Sequence, residues 1–247
     1  MRAQIRPANY QTIPLKDLTP LGWYKNQLQI QSDGLSGHLD LFWPDIKDSK
    51  WIGGQAEGWE RLPYWLDGFI PLAVLTHDGE KLARARRYID AILAKQQPDG
   101  WLCPTQTKEE RDQYDLWALF LILKVLTVWA DATGDQRIPQ VVSDALLALD
   151  RHIDRHTLFD WAATRWYECL IAIFWLYERS PEAWLVDLCE KIHAQGFDWE
   201  AFYRDVYKRQ GPVTLQETPA ALNVQGETHA CDYRGPRAFL TLETVEK

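Results

Sequence analysis

Three short clusters hold the residue types that could do chemistry. The first is the run Trp51–Gly68, where Glu57 and Glu60 are three apart and Asp67 follows seven residues later. Residues three or four apart on a helical turn share a face. That spacing predicts both glutamates on one side, with Asp67 two turns deeper along the same face beside Tyr64. First-turn acids are also favoured by the helix dipole, with Arg61 as a local partner. Three carboxylates interleaved with Trp59, Tyr64 and Trp65 nevertheless favour a site over that plainer account.

The second cluster, Gln113-Tyr114-Asp115-Leu116-Trp117, precedes Lys124, the only cation between Leu116 and Ala130. A lysine in so apolar a run either reaches water along its stem or pairs with a carboxylate such as Asp115 or Asp67. The third cluster runs from Phe159-Asp160-Trp161 to Thr164-Arg165-Trp166-Tyr167-Glu168. Arg165 and Glu168 have the spacing of a helix salt bridge and also of a polar pair facing a ligand. The candidate substrate-binding residues are therefore Glu57, Trp59, Glu60, Tyr64, Asp67, Tyr114, Asp115, Arg165, Trp166 and Glu168. Carboxylates beside indole and phenol platforms, with few basic groups, suit a neutral, hydroxyl-rich ligand. Sugars fit, since their apolar faces stack on indoles and their hydroxyls bond to acids. Glycoside hydrolysis itself needs two carboxyl groups or an acid with another nucleophile.

These clusters need elements to position them. Thr19-Pro20 is a capping residue followed by proline, predicting a helix that stops near Gly34. A loop rich in Gly, Asp and Trp is expected from Ser36 to about Arg61. Pro63 then opens a second helix, kinked at Pro71. His77-Asp78-Gly79 turns into an amphipathic helix over 80–97, closing at Pro98-Asp99-Gly100-Trp101. A nearly all-apolar helix is predicted over 112–132, an amphipathic one over 138–156, an apolar one over 164–178, and a last amphipathic one after Ser180-Pro181. Three times an apolar helix is followed by a tight turn, an amphipathic helix and a loop ending in tryptophan: Trp101, Trp161 and Trp199. A helix apolar all round must be buried, whereas an amphipathic one lies outside. The drifting repeat predicts an all-α fold of the (α/α)6-toroid type, with about three helical hairpins present. Parallel inner helices would bring their N-terminal ends, and all three clusters, to one face.

Composition narrows the classes. The 247 residues carry 27 Lys+Arg against 35 Asp+Glu, a net charge of −8, which disfavours a nucleic-acid binder. No stretch approaches the roughly 20 apolar residues of a membrane span. The N-terminus lacks a signal-peptide core, so a cytoplasmic location is expected. Cys103, Cys169, Cys189 and Cys231 form no CxxC pair, and neither a zinc ribbon nor a disulfide framework is expected. Cys169 and Cys189 sit in apolar runs as small core residues. Thirteen tryptophans are the abnormal feature; most are expected in the core. No Asp-Asp-x-x-Asp run marks a terpenoid cyclase or prenyl transferase. A protein-binding helical scaffold would not need polar aromatic clusters confined to one end.

Thr19-Pro20-Leu21-Gly22-Trp23, the Trp51–Gly68 run, Gln97-Pro98-Asp99-Gly100-Trp101 and Ala132-Thr133-Gly134-Asp135 resemble the catalytic region of glycoside hydrolase family 127-type proteins, the β-L-arabinofuranosidases and their relatives. The likeness covers about residues 12–203, and Glu57-Gly58-Trp59-Glu60-Arg61 with Pro63-Tyr64-Trp65-Leu66-Asp67-Gly68 is its most specific part. The resemblance implies an (α/α)6 barrel and removal of arabinofuranose-type sugar ends. It also implies a cysteine nucleophile held on zinc in the later half of the barrel. No Glu-x-Cys or Cys-Cys element is present here, so nucleophile and acid/base are not assigned, and neither a metal nor another cofactor is expected in this chain. Residues 1–203 are expected to be the N-terminal half of such a barrel, and residues 204–247 an irregular tail where the helical pattern stops, out of frame or foreign. His229 in that tail is a pocket histidine only if the tail folds back. The chain alone is expected to bind an oligosaccharide or glycoside without hydrolysing it, and to self-associate through exposed inner-helix faces. The alternative is a non-catalytic carbohydrate-binding α-toroid module.

Overall fold

A computed structural model describes residues 13–209, all helical or irregular with no strand among them. Cys231, His229 and the rest of the 210–247 segment lie outside the described residues. The chain divides into two compact units, the first ending at Phe197.

The first unit begins with a 3-10 turn at Leu15–Asp17 and helix α1 (Gly22–Asp33). α1 starts two residues after Pro20: Leu21 is the extended residue before it, and no side chain caps it. Gly22 adopts φ +57°, a left-handed entry that displaces the expected Thr19-Pro20 start. The expected loop 36–61 contains two single turns, α2 (Leu39–Phe42) and α3 (Pro44–Lys47), and a 3-10 turn at Lys50–Ile52. Pro44 stands at the first position of α3, where a missing N–H costs nothing.

Three helical hairpins follow. α4 (Arg61–Leu75) pairs with α5 (Gly79–Leu93), and Pro71 is accommodated inside α4. Asp78 caps α5 by accepting from the Lys81 N–H. A short helix, α6 (Lys108–Asp112), is closed by a capping box of Thr107 and Glu110. It ends at Asp112, where the apolar helix is expected to begin, and residues 113–116 form an irregular turn, so α7 spans only Trp117–Thr133. Gly134 ends α7 at φ +73°, a left-handed cap that suits glycine. α8 (Ile138–Ile153) returns along it. The third apolar segment starts in pieces, α9 (Asp160–Thr164) and a 3-10 turn at Trp166–Glu168, before α10 (Cys169–Arg179) and its partner α11 (Ala183–Gln195).

α4, α7 and α10 supply the bulk of the core, with Leu66, Ile70, Phe120, Leu123, Trp129, Ala172 and Ile173 fully buried. α7 packs between α4 and α10, while α5, α8 and α11 pack against them. The three apolar helices run parallel. Tyr64 meets Trp117 near the starts of α4 and α7, and Lys124 meets Asp67 farther along. Trp117 bonds to Glu168 at the start of α10, and Trp175 bonds to Asp131 near the far ends. Their N-terminal ends therefore share one side, as the inner-and-outer pattern requires.

The second unit begins at Asp198. Its α12 (Trp199–Arg209) carries helix past Arg204, where the sequence pattern predicts an irregular tail. Trp199, Phe202 and Tyr203 lie within a turn of one another, and Trp199 stacks on Tyr203, a local cluster that sustains the helix without a long apolar run.

Candidate functional site

A cleft of about 620 Å³ runs along α4, its aromatic end lying where the helix starts gather. Glu60, Arg61, Tyr64 and Gly68 from α4 line it, with Trp117 and Trp161 from the starts of α7 and α9. Trp59 joins them from the turn before α4, and Ser36, Leu39 and Trp43 from the segment after α1. That segment is pinned from behind. Trp65 donates through Nε1 to the Ser36 carbonyl, and the buried Arg84 reaches both the Gly37 carbonyl and the Asp40 carboxylate.

Trp117 is the hub of the aromatic end. Its ring meets Trp59 and Tyr64 edge-on, with centroids 5.5 and 5.7 Å away, and stacks against Trp161 at 5.3 Å. Its Nε1 donates to Glu168 Oε2 at 2.8 Å. The Arg165 guanidinium lies over both Trp117 and Trp161, at 5.0 and 5.4 Å, and bonds to Glu168 Oε1 at 3.1 Å. Trp161 is 42% exposed and Tyr64 46%, so both offer faces to a ligand. Burial, with Glu168 nearby, holds the Tyr64 phenol above its ordinary pKa.

The carboxylates divide sharply by occupation. Asp115 accepts from the backbone N–H of Trp117, Trp161 and Ala162 at 2.9–3.0 Å. Burial raises its pKa, and those three donors pull it back. Asp67 pairs with Lys124 at 2.7 Å, which resolves the two accounts of that lysine: it is partnered, and also partly exposed. Glu168 is held by Arg165 and Trp117. Glu60 differs, because its Oε2 is buried without a partner and its other oxygen lies 3.9 Å from Arg61 Nε. Arg61 is shared with Asp45 at 3.4 Å. Glu60 is thus the one carboxylate in the cleft lining, beside its aromatic faces, and its buried oxygen takes no hydrogen bond from the protein.

Of the sequence candidates, Trp59, Glu60 and Tyr64 line the cleft, and Arg165 and Glu168 sit directly behind its tryptophans. Glu57 does not share a turn with Glu60: Gly58 adopts φ +57° between them, and Glu57 points to solvent away from the lining. Asp67 is committed to Lys124, and Asp115 to backbone. Tyr114 packs against the core with its buried hydroxyl unpartnered, and its pKa is raised by that burial. Trp166 turns to α11: its Nε1 donates to the Phe197 carbonyl and its ring lies 4.9 Å from His193. Trp101 is core, bonded to Thr105, whereas Trp161 lines the cleft.

Sequence reasoning missed Trp43 and gave Trp117 no role. Trp117 was findable, since an indole in the first turn of an apolar helix, two residues after an acid, lies on the face where the clusters converge. It also gave Gly68 no role. A glycine inside a helix costs about 1 kcal/mol relative to alanine. A Cβ at Gly68 would meet nothing within 4 Å, so packing within the fold does not demand it. Gly68 lines the cleft, and the absent side chain keeps that stretch open.

A zinc-bound cysteine does not fit these residues. Cys103 and Cys169 are buried in the core and Cys189 packs against it, burial raises all three thiol pKa values, and no group of three His, Cys, Asp or Glu among the described residues could hold a metal. No described helix is long and apolar enough to cross a membrane. Comparison with protein-family models, curated proteins and solved structures returns no match.

Proposed function

We propose that the α4 cleft binds a sugar, and that the chain is a glycoside hydrolase-like protein whose described residues recognise a glycoside without cleaving it. The observation that carries this reading is the aromatic end of the cleft, where the exposed faces of Tyr64 and Trp161 stand with Trp59 and Trp117 beside the partly exposed carboxylate of Glu60. A sugar hydroxyl would donate to that carboxylate, and the sugar's C–H face covers the exposed indole of Trp161. The partial (α/α)-toroid and the arabinofuranose-type ligand belong to the same reading. They rest on the hairpin order and on the resemblance of the Glu57–Gly68 run.

The state of the other carboxylates argues for binding without turnover. Hydrolysis by two carboxyl groups needs one on either side of the scissile bond. Here Glu168, Asp67 and Asp115 do not line the cleft, which leaves Glu60 as its one carboxylate. Titration with methyl β-L-arabinofuranoside, followed by saturation-transfer NMR, is expected to give saturable, weak binding. Trp161→Ala and Glu60→Gln should each weaken it roughly tenfold, the loss of one stacking face or one charge-assisted hydrogen bond. Absence of saturable binding by this and by other simple glycosides would overturn the reading. Turnover of the 4-nitrophenyl glycoside that follows the protein through purification would overturn its non-catalytic part.

A further inference from the structure

We infer that the ligand is a glycoside with an apolar aglycone, the sugar held at the aromatic end and the aglycone laid along α4 over Gly68 toward Leu72. This rests on the sugar reading above and extends it. The cleft follows a helical row: Glu60, Tyr64, Gly68 and Leu72 are spaced four apart, and all line it. At 1.5 Å per residue that row covers roughly 18 Å, more than a single sugar ring needs. The end near the start of α4 offers the Glu60 carboxylate, the Tyr64 phenol and the Trp161 face. The rest of the lining is mostly apolar, with Leu39, Trp43 and Trp65 beside Phe69 and Leu72, and with Gln31 and Ser36 as its polar members. An aryl or alkyl group laid there would lose water contact favourably.

Gly68 is the independent observation. It stands midway along the row from Glu60 to Leu72, its missing Cβ leaves open space, and nothing in the fold requires glycine there. Any side chain at this position would stand in the path from one half of the cleft to the other.

The test compares methyl β-L-arabinofuranoside with its 4-nitrophenyl counterpart by calorimetry, with 4-nitrophenol alone as control. The aryl glycoside is expected to bind at least about tenfold more tightly than the methyl glycoside. Gly68→Leu should bring that ratio close to one, with a thermal melt reporting that the variant is folded. Equal affinity of the two glycosides for the unaltered protein overturns the inference, whatever the variant does, and leaves the sugar reading standing. If 4-nitrophenol binds as well as its glycoside while the methyl glycoside does not bind, the sugar reading fails and the apolar limb survives. An unchanged ratio in a folded Gly68→Leu protein places the aryl group elsewhere and overturns the path over Gly68.

Discussion

Asp115 accepts three backbone N–H groups from two different helix starts, and it is therefore a positioning residue for Trp117 and Trp161. Asp160, just before Trp161, sits at φ +45°, a left-handed conformation that costs a non-glycine residue about 1 kcal/mol or more. The Asp115 carboxylate offsets that cost by satisfying the next two amides. Asp115→Ala leaves all three donors without this acceptor, and a loss of about 1–3 kcal/mol is expected in urea unfolding. The near-UV circular dichroism of the stacked Trp117–Trp161 pair should fall at the same time. Asp115→Asn keeps one good acceptor and should recover part of both. The Lys124–Asp67 pair makes the contrast, since both side chains are partly exposed and an exposed pair contributes under about 1 kcal/mol. If Lys124→Met proves as damaging as Asp115→Ala, the difference in burial has been misjudged.

At the scale of elements, Gly68 gives the clearest expectation. Alanine there adds a methyl group to open space and removes backbone freedom from the unfolded chain, so Gly68→Ala should stabilise the protein by up to about 1 kcal/mol in chemical denaturation. Destabilisation would mean that the position is not open. The helices themselves were largely legible. Runs such as Leu116–Ala130 are apolar on every side, and the amphipathic stripes of α5 and α8 announce an outer layer. Their starts were less so, because they depend on contacts distant in sequence. Trp117 begins α7 through an N–H bonded to Asp115, and α6 is a separate turn closed by Thr107 and Glu110. The site was legible where chemistry is local, in Glu60 and Tyr64 on one face of α4. It was misread at Glu57, Trp166 and Tyr114. Spacing alone does not reveal the left-handed Gly58, the carbonyl of Phe197 that captures Trp166, or the core that takes Tyr114.

For the molecule as a whole, the ion pairs and buried phenols set opposite limits of pH. Asp135 joins three helices: Trp129 of α7 donates to it at 3.0 Å, and Arg137 bonds both to it and to Asp90 of α5. Arg137 holds the Asp135 carboxyl well below the usual carboxylate range, and Lys81 and Arg111 lower Asp78 and Asp99 in the same way. A depressed pKa contributes stability that is fully present above the unfolded value and is lost as pH falls through the folded one. Thermal midpoints should therefore hold above about pH 5 and decline below pH 4, less steeply in Asp135→Asn. On the alkaline side the sign reverses. Burial, aided by Asp40 and opposed by Arg84 and Arg87, pushes the Tyr88 phenol up to about 12. A raised pKa contributes stability below the unfolded value, near 10 for tyrosine, and that contribution is lost as pH climbs toward 12. The buried thiols of Cys103 and Cys169 act in the same direction. Tyr88→Phe keeps the ring against Trp65, 5.0 Å away, and removes the proton. It should flatten the decline between pH 10 and 12 and leave the acid limb as it was, so a variant that shifts both limbs together would assign the effect to packing rather than ionisation.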